Sequence, residues 1–358
     1  MPDKNQPAAR ARGIEIGFYS VGDHAMNPHT GHKISVRQRI LELIGASRLA
    51  EEAGLDVFAI GERHQDHTAT QAHTVILGAI AQATRRIKIA SSATVLSVHD
   101  PVRVFEDFAT IDQISNGRAE LVAGRGSTIG TYYTLGYDVN DYERLFEEKF
   151  DLLLRLNREE EVTWEGEFRA PLNKARILPR PVSGALPVWR AVGGSPESAA
   201  RAGLAGVPMM LATLGGPSAV FKPAVELYRQ AAKQAGHDPA ALPVATTSML
   251  YAAENSQDAQ REFYPHLDHI FRLMRGTPYP PQQILRSADP EDSLMVGSPQ
   301  LIIEKMLRQH ELFGHQRILL QMDVGGVPYD KLARNIELVA ERIAPAVRKY
   351  TAAAATSR

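Results

Sequence analysis

Residues 87–126 of the chain read IKIASSATVLSVHDPVRVFEDFATIDQISNGRAELVAGRG. The apolar run at the start of this stretch predicts a strand over 87–96. The amphipathic segment that begins with Pro101 predicts a helix over 101–114, because proline is favoured in the first turn of a helix. A second apolar run predicts a strand over 118–123. A strand, a helix and a following strand make the unit from which parallel sheets are built.

The same alternation continues in both directions along the chain. The predicted strands are 14–20, 56–61, 87–96, 118–123, 186–193, 207–212, 243–253 and 317–324. The predicted helices are 34–53, 70–83, 101–114, 141–157, 196–205, 218–235, 257–274, 299–313 and 329–350. Eight such strands in a chain of 358 residues predict an α/β fold, a (β/α)8 TIM barrel with insertions. An open, doubly wound sheet is the alternative that this pattern leaves.

The expected organisation is a single barrel domain over residues 14–350. Insertions are expected at about 128–140, 158–186 and 277–298. The second insertion contains a predicted hairpin over 161–170, with Glu165-Gly166 as its turn, and the third is expected to be a loop or lid. Residues 1–13 are expected to form a flexible arm and residues 351–358 a flexible tail, although the alanines of the tail would also suit a longer last helix.

The composition excludes several classes of protein. The chain has 40 lysines and arginines against 41 aspartates and glutamates, so it lacks the basic excess that binding to nucleic acid requires. It has no cysteine, which excludes disulfides, thiol nucleophiles and cysteine-bound metals. No apolar run approaches the roughly 18 residues that span a membrane, and the first residues carry no apolar signal segment. We therefore expect a cytoplasmic protein with no membrane attachment.

Glycine-rich segments follow the fourth and fifth predicted strands, where a barrel places its ligand-binding groups. Gly124-Arg125-Gly126-Ser127-Thr128 combines a backbone that a ligand can approach closely with an arginine whose planar fork suits phosphate. Gly193-Gly194-Ser195-Pro196 opens a helix, and the free amides of a helix N-terminus bind anions. Each segment alone would suit an ordinary turn. Because the two strands are neighbours in a barrel, one phosphate group bound by both segments is the simplest interpretation.

Charged and imidazole side chains follow the second predicted strand in the run Glu62-Arg63-His64-Gln65-Asp66-His67. A histidine at a strand end is a candidate proton carrier near neutral pH. His64 and His67 are also possible metal ligands, but the spacing is poor away from a helix, and we predict no metal site. No Gly-x-Ser-x-Gly elbow and no Walker loop occurs in the sequence.

Taken together, these motifs resemble the bacterial-luciferase-like family of FMN-dependent monooxygenases. The resemblance extends from about residue 14 to residue 348. The segments that carry it are Glu62-x-His64, Asp100-Pro101-Val102-Arg103, Ser115-Asn116-Gly117-Arg118, Gly124-Arg125-Gly126, Gly193-Gly194-Ser195-Pro196 and Phe313-Gly314-His315-x-Arg317.

The resemblance implies a luciferase-like TIM barrel that acts on a small organic substrate with O2 and FMN. A separate flavin reductase would supply the reduced FMN, and a homodimer or higher homo-oligomer is expected. The cofactor-binding residues that it implies are Glu62 near the ring, Ala93 beneath the isoalloxazine, Ser127 beside the flavin, and Arg125, Gly194, Ser195 and Ser198 at the phosphate. In this family the residue equivalent to Ala93 can follow a cis peptide bond, here Ser92–Ala93.

One position departs from the luciferases, which carry two adjacent histidines after the glutamate and use the first in catalysis. Here Arg63 takes the first place, and arginine cannot act as a base at neutral pH. The candidate catalytic residues are therefore His64, as a proton carrier, and Arg63, which would hold a negatively charged oxygen species or an acidic substrate. Two alternatives remain: a deazaflavin-dependent enzyme of hydride transfer on the same barrel, and a flavin-binding protein without turnover.

Overall fold

The computed structural model describes residues 13–126 and 128–356. Eight parallel strands pair in chain order, and the last pairs with the first, so the sheet closes. The strands are β1 (Glu15–Ser20), β2 (Val57–Ile60), β3 (Lys88–Ser91), β4 (Ala119–Gly124), β5 (Val188–Val192), β6 (Met209–Ala212), β7 (Val244–Ala252) and β8 (Arg317–Gln321). This closure confirms the predicted (β/α)8 barrel and excludes the open sheet.

Helices follow the strands and cover the outside of the barrel. They are α1 (Val36–Glu52), α2 (His73–Ala83), α3 (Pro101–Ser115), α4 (Ile129–Thr134), α5 (Tyr142–Arg158), α6 (Pro196–Leu204), α7 (Lys222–Gln234), α8 (Ser256–Arg275), α9 (Pro281–Arg286), α10 (Pro299–Phe313), α11 (Tyr329–Leu338) and α12 (Ala344–Thr356). Local sequence sets several starts. In α3, Asp100 accepts a hydrogen bond from the backbone nitrogen of Val102 and Pro101 opens the helix.

The apolar side chains form two main layers. The larger layer lies between the outer faces of the strands and the helices, as Phe18, Phe58 and Phe105 illustrate. The second fills the barrel interior and includes Val122 and Trp189. Both layers are almost fully buried, which explains why the strands appear in the sequence as continuous apolar runs.

A buried charge cluster closes the amino-terminal end of the barrel. The Arg317 guanidinium lies 2.6 and 3.0 Å from the two carboxylate oxygens of Glu120, and Trp189 Nε1 donates to the same carboxylate at 2.9 Å. Burial raises the pKa of Glu120, but the charge of Arg317 and its hydrogen bonds outweigh burial and lower the pKa to about 2. The polar groups at this end are therefore paired with one another.

The second insertion forms a hairpin, but its strands lie farther apart than predicted. Val162–Trp164 pairs antiparallel with Leu172–Ala175, so the second strand lies outside the predicted range 161–170. The reason is a long-range contact, since the Glu148 carboxylate accepts backbone hydrogen bonds from residues 167, 168 and 169. These bonds hold the segment between the strands as a loop.

Residues 277–298 are more ordered than the loop or lid that we expected. The segment contains α9 and the short strand Met295–Gly297, which pairs in parallel with β7. Buried Lys305 donates hydrogen bonds to the carbonyl oxygens of Asp292, at 3.2 Å, and Leu294, at 2.8 Å. These contacts fix the segment to α10.

The last helix also extends past its predicted end at residue 350. It reaches Thr356, and the Thr351 hydroxyl accepts a hydrogen bond from the backbone nitrogen of Ile14. Residues 351–356 are helical, which is the alternative that the alanines favour, and Thr351 anchors the start of this segment to the barrel. Residues 1–12 of the predicted arm lie outside the described residues. Within residues 13–126 and 128–356, no helix is both long and apolar enough to cross a membrane.

Candidate functional site

A buried carboxylate at the carboxyl end of β2 gathers two histidines. Glu62 Oε1 lies 2.6 Å from His64 Nε2 and 2.6 Å from His99 Nε2. The other oxygen, Oε2, accepts a 2.7 Å hydrogen bond from the backbone nitrogen of Val95. His73 lies deeper, with its Nδ1 3.8 Å from Oε2. We call Glu62, His64, His73 and His99 the Glu–His cluster.

The electrostatics of the Glu–His cluster keep its carboxylate charged. Burial raises the pKa of Glu62, but the hydrogen bonds from His64 and His99, together with the charges of His73 and His99, outweigh burial and lower it to about 2. Burial lowers the pKa of His73 to about 4, so this imidazole is neutral at pH 7. His64 and His99 remain partly exposed. They are therefore placed to exchange protons with the barrel mouth while the carboxylate orients them.

The ligand atoms of Glu62, His64 and His99 all lie within 4.8 Å of one another, which is also a possible metal-binding geometry. The sequence pairs His64 with His67 by spacing and gives no signal for this set. The 2.6 Å separations are those of direct hydrogen bonds, whereas two ligands on one tetrahedral metal are about 3.4 Å apart at ordinary bond lengths. The observed distances therefore favour a hydrogen-bonded cluster.

Small residues from three neighbouring strands form an apolar floor beside the Glu–His cluster. The peptide bond between Ser92 and Ala93 is cis, as the resemblance implied. A Cβ atom added to Gly124 would lie 3.0 Å from the Ala93 Cβ and 3.4 Å from the Ala191 Cβ. Ala93, Gly124 and Ala191 therefore lie in close contact, and a side chain at Gly124 would crowd both alanines.

The start of α6 provides an anion cradle. Gly194 has a φ of +94°, and the Ser195 side chain accepts a hydrogen bond from the backbone nitrogen of Ser198. The hydroxyl of buried Ser198 has no hydrogen-bond partner among the described residues. Within that part of the chain, a Cβ atom added to Gly193 would meet no atom within 4 Å. An unpaired hydroxyl, open space and a helix N-terminus together fit a bound phosphate.

Arg125 approaches this cradle through a network of ion pairs. Its Nη1 lies 3.1 Å from Glu143 Oε1 on α5. Glu143 Oε2 lies 3.9 Å from Arg201 Nη2 on α6, so a single carboxylate connects the two arginines. Arg201 Nη1 also lies 2.8 Å from Glu147. The structure therefore links Arg125 to α6 through Glu143 and Arg201, which lies in the last turn of that helix, whereas Ser127 lies outside the described residues.

Arg63 pairs with a different carboxylate from the one that orients His64. Its Nη1 lies 3.9 Å from Oδ1 of buried Asp23, and that oxygen has no hydrogen-bond partner in the described part of the chain. Burial raises the pKa of Asp23 to about 6, although the charge of Arg63 acts in the opposite direction. Arg63 therefore forms a long ion pair with a buried carboxylate, one oxygen of which accepts no hydrogen bond in the described part of the chain.

Sequence reasoning missed several residues of this site. His99 follows the strand predicted over 87–96 and directly precedes the N-cap Asp100. The argument that selected His64, a histidine near the end of a strand, therefore applies to His99 as well. Glu143 and Arg201 gave no such signal, because their approach depends on how the faces of α5 and α6 meet. Asp23 carried no sequence signal either, because its contact with Arg63 spans 40 residues.

Comparisons with known proteins agree with this architecture. The model of the family described as luciferase-like monooxygenase matches residues 14–316. An Escherichia coli (strain K12) protein named luciferase-like monooxygenase is 27% identical over 320 residues, which are 84% of this chain and 89% of that protein.

Two solved structures share the fold at under 25% identity. The oxygenating constituent of 3,6-diketocamphane monooxygenase from Pseudomonas putida, in complex with FMN, has a TM-score of 0.73 at 21% identity and covers 93% of this chain and 98% of its own. An F420-dependent secondary alcohol dehydrogenase has a TM-score of 0.70 at 19% identity and covers 94% and 99%. Because the family match spans most of the chain and the barrel agrees with it, the protein belongs to the luciferase-like monooxygenase family.

Proposed function

We propose that the protein is an FMN-dependent monooxygenase that uses reduced FMN and O2 to oxidise a small organic substrate. The observation that carries the proposal is that the apolar floor, the Glu–His cluster and the anion cradle lie next to one another at the carboxyl ends of the strands. The floor residue Ala93 accepts a hydrogen bond from the backbone nitrogen of Glu62, and the floor residue Gly124 directly precedes Arg125. A ring binding site, a proton-carrying cluster and an anion cradle therefore adjoin one another.

Each part of the site has a role toward this cofactor. Arg125, Gly194, Ser195 and Ser198 would hold the phosphate. Ala93 would lie beneath the ring, with Glu62 and Ser127 beside it. When bound, reduced FMN would supply the electrons that activate oxygen.

The Glu–His cluster would move protons. Its carboxylate fixes the orientation of His64 by the 2.6 Å contact, and the partial exposure of His64 lets it exchange a proton with a molecule in the barrel mouth. Arg63 would stabilise negative charge on a substrate or on an oxygen-derived anion, because its pairing with Asp23, at 3.9 Å, is loose. Replacing Arg63 with Ala would then weaken turnover or substrate affinity.

The proposal extends to the partners and to the cofactor. The Pseudomonas putida enzyme supports FMN, because its structure contains FMN. The alternative is a deazaflavin, since the similar alcohol dehydrogenase depends on F420. We also propose a flavin reductase as the source of reduced FMN. A homo-oligomer is proposed as well, on the basis of the family resemblance.

An anaerobic titration tests the proposed site and cofactor together. Wild type and Arg125→Ala are titrated with reduced FMN, and F420 is titrated in parallel. We expect wild type to bind reduced FMN more tightly than F420, and Arg125→Ala to lose most of that affinity. Tighter binding of F420 would replace the proposal with the hydride-transfer alternative.

A further inference from the structure

The anion cradle contains a carboxylate between two arginines. Glu143 Oε1 contacts Arg125 at 3.1 Å, and Glu143 Oε2 faces Arg201 at 3.9 Å. A bound phosphate at the start of α6 would approach the same two guanidinium groups, because the N-cap Ser195 donates a 2.7 Å hydrogen bond to Glu197, which in turn interacts with the charge of Arg201 one turn along the helix. Glu143 therefore contacts the cations that a phosphate would use.

The charges around the cradle balance before any ligand binds. The arginines are Arg125, Arg190 and Arg201, and the carboxylates that contact them or the N-cap Ser195 are Glu143, Glu147 and Glu197. A phosphate dianion therefore meets a neutral set of side chains, although a site dedicated to permanent phosphate binding would carry excess positive charge.

Of the two α5 carboxylates that contact these arginines, Glu143 alone can move away without leaving a buried charge unpaired. Glu147 pairs with Arg190, which is 1% exposed, so moving Glu147 would leave a buried charge without its partner. Glu143 is 59% exposed, and both of its arginine partners are partly exposed. Glu143 can therefore swing into solvent at little cost when an anion arrives.

We propose that Glu143 is a built-in counter-ion that competes with the cofactor phosphate for Arg125 and Arg201, and that Arg201 is a second phosphate-binding arginine. This inference rests on the proposed function, because it assigns residues to the same cofactor. The competition lowers phosphate affinity, so reduced FMN would enter and leave as an exchangeable substrate. That behaviour suits a cofactor that is reduced on another protein.

Flavin titrations of the full-length protein test the competition. Wild type, Glu143→Gln and Arg201→Ala are titrated with FMN and with riboflavin, which lacks the phosphate. We expect Glu143→Gln to bind FMN roughly threefold to tenfold more tightly, since the variant removes a like charge that pairs with the same arginines as the phosphate. Arg201→Ala should bind FMN more weakly by a similar factor. Riboflavin affinity should be unchanged in both variants.

Two matched variants control for the loss of a surface charge. Glu337, on α11, is 46% exposed and forms an ion pair with Arg334, so Glu337→Gln removes a similar carboxylate on the helix that follows β8, away from β5 and α6. Arg334, on α11, is 53% exposed and pairs with Glu254 and Glu337, so Arg334→Ala matches Arg201→Ala. Neither control should change FMN affinity.

Three results would overturn the inference. Unchanged FMN affinity in Glu143→Gln would show that there is no competition. Weaker FMN binding in Glu143→Gln would show that Glu143 positions Arg125 instead of competing for it. Unchanged FMN affinity in Arg201→Ala would remove Arg201 from the site.

Inorganic phosphate separates this inference from the proposed function. If wild type does not bind FMN, the proposed cofactor is wrong, but competition at the cradle can still be measured. Melting temperatures are compared in phosphate and in chloride at equal ionic strength. The inference predicts that phosphate raises the melting temperature of Glu143→Gln more than that of wild type, because a ligand that binds the folded state stabilises it. Equal shifts in the two proteins would contradict it.

Discussion

The Glu–His cluster makes a quantitative prediction about stability. Replacing Glu62 with Gln preserves the volume of this buried side chain and removes its charge. The pKa of the Glu62 carboxyl falls from 4.5 to about 2 in the folded protein, because the hydrogen bonds from His64 and His99 outweigh the opposing effect of burial. Since one pKa unit corresponds to 1.36 kcal/mol, and since His73 is neutral at pH 7 and adds no charge there, the charged form contributes on the order of 1–3 kcal/mol to folding at pH 7.

The sign of the pH dependence follows from the same pKa values. The pKa of Glu62 in the folded protein lies below its unfolded value, so its contribution is complete well above pH 4.5 and is lost as the pH falls toward 2. The stability difference between wild type and Glu62→Gln should therefore shrink on acidification.

Urea unfolding of both proteins at pH 7 and pH 4, at constant ionic strength, measures this difference directly. The exposed variant Glu226→Gln serves as the control and should match wild type at both pH values. A difference below about 0.5 kcal/mol at pH 7, which is typical of surface substitutions, would refute the reasoning. A difference that grows toward pH 4 would also refute it, because the sign would be wrong.

Three further predictions concern the proton carrier, the floor and the closed end of the barrel. His64→Ala should slow the oxygen-dependent reoxidation of bound reduced FMN by about 10²-fold, because it removes an acid–base group. His237 is exposed, and His237→Ala should leave this rate unchanged. Stopped-flow absorbance measures the rate in both variants. Ala93→Leu should abolish binding of both FMN and riboflavin in fluorescence titrations, whereas Arg125→Ala should weaken FMN alone; riboflavin binding by Ala93→Leu would contradict the assigned floor. Glu120→Gln should lower the free energy of unfolding, measured in urea, by about 3–5 kcal/mol, because it breaks a buried ion pair. FMN affinity should not change, because the pair lies at the opposite end of the barrel. A loss of stability below about 1 kcal/mol would contradict the prediction.

The elements of the barrel were predictable wherever local sequence determines them. The helices that open with Pro101, Pro196 and Pro299 begin at the predicted residues, because the N-cap side chain and the proline lie next to each other in the chain. The strand predicted at 118–123 occurs at Ala119–Gly124, because strands buried on both faces form continuous apolar runs.

The errors lie where distant contacts determine the structure. The hairpin loop depends on Glu148, which lies outside the hairpin. The strand Met295–Gly297 forms because β7 offers it a partner, and the extension of the last helix is anchored by a hydrogen bond to Ile14 at the other end of the chain. No local pattern predicts these contacts.

The candidate site divides in the same way. Glu62, His64 and Arg125 directly follow strands, so the rule that a barrel gathers ligand-binding groups at strand ends was enough to select them. The Glu143–Arg201 pair joins residues 58 positions apart on two helices, and only the packing of those helices brings them together. Strand ends were therefore predictable, whereas the charges that surround the cradle were not.

The reaction of bound reduced FMN with oxygen tests the central claim most directly. Protein loaded anaerobically with reduced FMN is mixed rapidly with oxygenated buffer, and absorbance spectra are recorded over time. If the protein is a monooxygenase, we expect an intermediate whose spectrum differs from those of reduced and oxidised FMN. This intermediate should persist longer than free reduced FMN takes to react with oxygen. Direct conversion of the reduced spectrum to the oxidised one, with no distinct intermediate spectrum, would contradict the account and favour hydride transfer or flavin binding without turnover.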